Sequence, residues 1–201
     1  MNINYDKIKN HTPGLIDFGE LKKFAVAIPL IHTKDGTKIL FEERAHKMAH
    51  KPGEICFPGG KVEEGETPKE AAIRELCEEL LITPKQITLI GACAIYLTGK
   101  GAAIFPFVVE LHDYNNTYSD DEVEELILIP AEYFANTKPE EIFTTIKEIP
   151  DEDFPFDKIY GGKAYPWREH RRRIAFYHYE DKTIWGMTGR MIEAFAETFL
   201  K

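Results

Sequence analysis

Residues 56–82 read CFPGGKVEEGETPKEAAIRELCEELLI, a glycine-rich loop running into a segment dense in glutamate. A glycine pair, Gly59-Gly60, leads into a segment with the marks of a helix start. Thr67 is placed to cap it, Pro68 suits the first turn, and Glu70 completes a capping box. The helix should run to about Leu80, before Thr83-Pro84. At 100° per residue, Ala72, Ile73, Leu76, Cys77 and Leu80 share one side. Glu75, Glu78 and Glu79 fall on the opposite, exposed side at i, i+3 and i, i+4 spacing, so their carboxylates are neighbours. Like charges so placed oppose helix formation by a few tenths of a kcal/mol per pair. Two readings are open at this point. One is a solvated acidic face; the other is a ligand set for a hard divalent cation, with main-chain carbonyls from the glycine loop adding oxygens.

Outward from this stretch the chain reads as mixed α and β. FAVAIPLI (24–31) and KILFEE (38–43) flank Asp35-Gly36, a hairpin signal. RAHKMAHKPGE (44–54) reads as a basic loop and ICFPGG (55–60) as a short strand ending in chain breakers. ITLIGACAIYL, AIFPFVVELH and VEELILIP read as further strands, PAEYFAN as a short helix, and residues 147–166 as loop. RRIAFYHYE and KTIWG form a hairpin around Glu180-Asp181, and apolar spacing from Met191 to Phe199 gives an amphipathic terminal helix. Strands dominate, with two main helices and no linker. The expectation is an α+β fold in one domain over residues 1–201, its core at about 24–195.

Bulk properties narrow the function. The chain has 201 residues, 43% hydrophobic, 12% aromatic and 29% charged, which excludes a disordered chain. Against 25 Lys and Arg stand 34 Asp and Glu, a net charge of −9. That balance speaks against nonspecific binding to nucleic acid or anionic membranes. No apolar run approaches the ~20 residues of a membrane span, and the N-terminus lacks a signal-peptide core. Cys56, Cys77 and Cys93 fit neither a set of paired disulfides nor a C-x-x-C zinc site. A cytoplasmic protein with reduced thiols is expected; a homodimer is compatible with these features.

The residues from Gly60 to Ile82 resemble the Nudix hydrolase box, G-x5-E-x7-R-E-U-x-E-E-x-G-U, with U aliphatic. Gly60, Glu66, Arg74-Glu75-Leu76, Glu78-Glu79 and Ile82 match it. Leu81 stands in place of the box glycine, whose usual role is a left-handed exit from the helix. Leucine should cost about 1 kcal/mol there or force another exit.

The resemblance implies a Nudix fold, a mixed sheet between helices. It also implies a pyrophosphohydrolase that needs Mg²⁺ or Mn²⁺. It gives Glu78, Glu79 and the Gly59 carbonyl as metal ligands, Glu75 as a third site carboxylate, either ligand or base, and Glu66 with Arg74 as an ion pair positioning loop and helix. Glu122 is either an added site carboxylate or a surface acid.

The preceding loop resembles the coenzyme A pyrophosphatase pattern R-[S/A]-x3-R-x3-G-x3-F-P-G-G through Arg44-Ala45, Gly53 and Phe57-Pro58-Gly59-Gly60, with Ala49 replacing the second arginine. The substrate implied is a small molecule, coenzyme A or acyl-coenzyme A. Arg44, Lys47, Lys51, Lys61 and Gly60 are candidates to receive its phosphates, with ordinary surface lysines as the plainer alternative. Arg168–Arg173 is a second basic cluster, open between a phosphate contact and a charged turn. Rivals are a Nudix enzyme for ADP-ribose or nucleotide sugars, and a catalytically silent Nudix-fold binding module.

Overall fold

The structure is a computed structural model and describes residues 5–10, 12, 14–99 and 101–200. A helical turn at Tyr5–Lys9 (α1) precedes the first sheet. Strand β1 (Lys22–Thr33) turns into β2 (Gly36–Arg44) with Thr33 opposite Gly36, so Lys34-Asp35 make the reversal and Gly36, at φ 111°, opens β2. The expected hairpin is present, its tip one residue earlier than Asp35-Gly36.

Two short strands follow, β3 (Ile55–Cys56) on β2 and β4 (Gly59–Lys61) on β1. Helix α2 (Pro68–Leu80) comes next. The apolar run after it splits into β5 (Ile87–Ala92) and β6 (Tyr96–Thr98), both antiparallel to β7 (Ala102–Leu111). β7 runs parallel to β1, and β8 (Val123–Pro130) lies antiparallel on β2. These eight strands form one mixed sheet.

Alternation along the strands divides the core. Ala27, Leu40, Val109 and Leu111 meet Leu76 and Leu80 of α2 on one face. On the other face Ile28, Ile39, Phe41, Val108 and Ile129 meet two helices, α3 (Ala131–Asn136) and α4 (Gly186–Phe199), through Phe134, Ile192 and Phe195. A strand covered on both faces buries successive residues: Ile39, Leu40, Phe41 and Glu42 of β2 are all fully buried.

A second, three-stranded sheet completes that layer. It runs β11 (Lys182–Trp185), β10 (Glu169–Tyr179), β9 (Glu140–Lys147). β9 was not anticipated from sequence. The β10–β11 hairpin was, and Tyr177 and Ile184 carry its inward face into the core. Gly189 lets α4 approach β10 closely, because a methyl group there would lie 2.6 Å from the Ala175 carbonyl oxygen. No described helix is long and apolar enough to cross a membrane.

Candidate metal and diphosphate site

The site is built where β4 hands the chain to α2. Gly59 sits so close to β1 that a side chain would meet the Ala25 carbonyl oxygen at 2.3 Å and Val26 Cα at 2.6 Å. Gly60 faces the helix instead: a methyl group on it would lie 2.2 Å from Glu75 Oε1. The glycine pair therefore wedges the loop between strand and helix, leaving main-chain groups beside carboxylates.

The helix begins as expected. Thr67 accepts the Glu70 N–H at 3.3 Å, and Glu70 accepts the Thr67 N–H at 2.9 Å. It ends with Leu81 at φ 53°, ψ 44°, the left-handed conformation expected of the box glycine. Leucine thus keeps the usual exit. Three of the last carbonyls find partners all the same: Leu81 and Ile82 N–H both reach Cys77 O, Ser119 N–H reaches Glu79 O, and the Thr117 hydroxyl reaches Leu80 O.

Of the three helix carboxylates, one does not lie where the helical projection put it. Glu79 is only 2% exposed, not on the open side of α2. It turns inward beside Leu76 and Leu80 and accepts the Gly59 N–H at 2.8 Å. Glu75 is mostly covered and Glu78 remains 57% exposed. The carboxylates therefore grade from interior to solvent across one end of the helix.

Arg74 ties this end together. Its guanidinium donates to both oxygens of Glu66, at 2.9 and 3.1 Å, to Glu78 at 3.2 Å and to the Lys61 carbonyl at 3.2 Å, and pairs with Glu75 at 2.9 Å. The Glu66–Arg74 pairing holds Glu66 below its ordinary pKa. Burial acts in the opposite sense on Glu75 and Glu79, raising both; for Glu79 the nearby Glu42 charge adds to the rise.

Glu42 is the residue that sequence reasoning missed. It lies on β2 opposite Cys56, is fully buried, and has its pKa raised mainly by burial, with Glu122 and Glu75 adding to it. Its Oε1 accepts the Cys56 thiol at 3.4 Å, while Oε2 has no partner. The signal in sequence is slight, an acid pair closing the apolar run KILFEE; which of the two lies inside is decided by the layers on both faces of β2. Glu122, half-buried, is brought to the same charge cluster.

The basic candidates are less gathered. Arg44 closes the β2–β3 connection, its Nε donating to the His50 carbonyl at 3.3 Å. Lys47 pairs with Asp121 and Lys51 with Glu54, each at 2.7 Å, and Lys61 is exposed on β4. In the second basic cluster, Arg173 pairs with Glu141 and Glu193, and Arg171 lies over the Phe143 ring. An open groove of about 570 Å³ flanks α2, with Glu66, Arg74, Glu78, Ile73, Cys77 and Leu89 among its lining residues.

Among the described residues no three His, Cys, Asp or Glu side chains stand close enough together to enclose a metal as placed. The donor set fits a hard dication nonetheless. It consists of carboxylate oxygens, one of them buried without a partner, beside a glycine-shaped loop.

Residues 21–149 match the NUDIX domain family. The chain belongs to the Nudix family. The matched residues include the glycine loop and α2, and Nudix hydrolases generally need divalent metal ions.

Among relatives, the mouse peroxisomal coenzyme A diphosphatase NUDT7 is 34% identical over 114 residues, 56% of this chain and 48% of the mouse protein. This chain thus spans about half of that relative's length. The 8-oxo-dGTP diphosphatase of Escherichia coli K12 is 41% identical over 90 residues, 45% of this chain and 68% of that protein. Among solved structures, the Ap4A hydrolase binary complex of C. elegans is similar with a TM-score of 0.47 at 20% identity, covering 54% of this chain and 80% of that one.

Proposed function

We propose that the protein is a metal-dependent diphosphatase that cleaves coenzyme A or an acyl-coenzyme A with water, giving 3′,5′-ADP and (acyl-)4′-phosphopantetheine. The observation that carries the chemistry is the set of buried carboxylates converging on the glycine loop, because burying like charges together is unfavourable without a cation to share. Glu75, Glu78 and Glu79, with the Gly59 carbonyl and Glu122, would hold Mg²⁺ or Mn²⁺. When bound, such an ion neutralises the diphosphate and lowers the pKa of the attacking water.

The protein's own groups do the positioning. Glu66 fixes Arg74, and Arg74 in turn holds Glu75 and Glu78 in place while keeping hold of the loop carbonyl at Lys61. The Gly59 N–H orients Glu79. Arg44, Lys47, Lys51 and Lys61, with the Gly60 main chain, are the groups that would receive substrate phosphates.

Support for coenzyme A comes from the loop Arg44-Ala45…Gly53…Phe57-Pro58-Gly59-Gly60 and from the likeness to the mouse coenzyme A diphosphatase. The higher local identity to an 8-oxo-dGTP diphosphatase favours a second reading, a nucleotide substrate cleaved at the same site. A product assay separates them. Coenzyme A, acetyl-coenzyme A, ADP-ribose, a nucleotide sugar and 8-oxo-dGTP are supplied singly with Mg²⁺ or Mn²⁺, and products are identified by mass spectrometry. Release of 3′,5′-ADP from a coenzyme A substrate at the highest kcat/KM supports the first reading. Preferential cleavage of 8-oxo-dGTP supports the second, and no cleavage of any of them would support a silent binding module.

A further inference from the structure

Among the described residues, Glu42 Oε2 is the buried side-chain oxygen without a hydrogen-bond partner. Its position follows from register. Glu42 faces the α2 side of the sheet, one strand-period from Leu40 and directly opposite Leu126 of β8, where packing alone would place another leucine. An acid fixed between leucines beneath a helix, with one oxygen unsatisfied, is unfavourable in a resting core. The Cys56 thiol donates to Oε1, and the charges that act on the carboxylate are those of Glu75 and Glu79 from α2, Glu122 from the segment before β8, and Arg44 as the cation. Charges from three separate elements therefore act on this carboxylate, although among the described residues no three of them enclose a common ion as placed.

We propose that Glu42 is a further carboxylate of the divalent-cation site, supplying Oε2 from the sheet side while Glu75 and Glu79 supply theirs from the helix. This rests on the metal-dependent reading above. The assignment accounts for an unsatisfied acid at a leucine position: a hard cation takes six or more oxygens, and a carboxylate on a central strand is held more rigidly than one on a loop. It also gives Cys56 a task, since the thiol occupies Oε1 and leaves Oε2 as the available oxygen.

The test is Mn²⁺ binding to the metal-free full chain, followed by calorimetry and by the loss of the free-ion electron paramagnetic signal. Wild type is compared with Glu42→Gln, which keeps an acceptor for Cys56, and with Glu42→Leu, which matches the neighbouring leucines. Both variants should bind Mn²⁺ about tenfold or more weakly. In chelator both should melt at or above the wild-type temperature, because an unsatisfied buried acid has been removed. A residue kept only for packing would give the reverse: lower melting and unchanged Mn²⁺ affinity. Wild-type affinity in either folded variant overturns the assignment while leaving the metal site itself intact. Absence of Mn²⁺ uptake by wild type overturns both. Failure of both variants to fold also counts against it, since a side chain retained for a cation is dispensable to the metal-free core.

Discussion

The carboxylate of Glu75 occupies the space that a side chain on Gly60 would need, with Oε1 2.2 Å from where the methyl carbon would be. Loop and helix are thus fitted to each other at the candidate site, and the fit depends on a missing atom. Gly60→Ala should displace Glu75 and leave the hydrophobic core untouched. A displacement of about 1 Å at a reacting centre reduces turnover by about 100-fold. Steady-state kinetics on the preferred substrate, with a thermal melt alongside, check this; near-wild-type kcat would show that Glu75 has no positional demand.

Leu81 holds a left-handed conformation that disfavours side chains, and its own side chain is 61% exposed. Leu81→Gly should therefore relieve about 1 kcal/mol of backbone strain, partly offset by the added freedom of the unfolded chain. The melting temperature should rise by up to roughly 2–4 °C for a chain of this size. A fall would mean that the leucine side chain contributes packing that outweighs the strain.

Stability in chelator should decline as pH rises. Glu42, Glu75 and Glu79 all have folded-state pKa values above the ordinary 4.5, Glu42 at about 7, chiefly through burial. The folded protein then binds more protons than the unfolded chain. Their contribution is complete below about pH 4.5 and declines above it, through about 7 for Glu42 and on towards about 10 for Glu79. Glu66 and Glu70, shifted downward by hydrogen bonds, act below this window. Melts between pH 5 and 8.5 in EDTA, referred to Glu79→Gln to isolate the site, should show the decline in wild type. Saturating Mn²⁺ should reduce or reverse the slope, because ionised carboxylates bind the ion best.

Arg44→Ala should separate substrates. Losing a charge-assisted contact to phosphate lowers kcat/KM by about 10- to 100-fold. The loss should be larger for coenzyme A, with its extra ribose phosphate, than for a short dinucleoside diphosphate. Arg44 also holds the His50 carbonyl, so equal losses on both substrates would assign it to loop shape alone.

Much of this architecture was written locally in the chain. The Thr67–Glu70 capping box, the hairpins at residues 33–36 and 179–182 and the Nudix spacing involve neighbours in sequence, and each is present. What escaped depends on distant partners. β9 is exposed along its whole length and shows no buried face; it becomes a strand only by pairing with β10, about 30 residues later. The helical projection grouped Glu79 with Glu75 and Glu78, but the sheet and the glycine loop cover that edge of α2 and turn Glu79 inward. Glu42 lies in KILFEE, where one acid of a pair is inside, and only the presence of layers on both faces of β2 shows which. The basic loop was legible as composition, yet Lys47 and Lys51 are engaged by Asp121 and Glu54.

The most direct measurement is a calorimetric titration of Mn²⁺ into the metal-free full chain, alone and with coenzyme A, for wild type and Glu79→Gln. The variant removes one charge and keeps an oxygen for the Gly59 N–H, so its fold should persist. Saturable uptake by wild type, weakened or lost in a cooperatively melting Glu79→Gln, is the expected result. No uptake by wild type under either condition would contradict a cation site among these carboxylates.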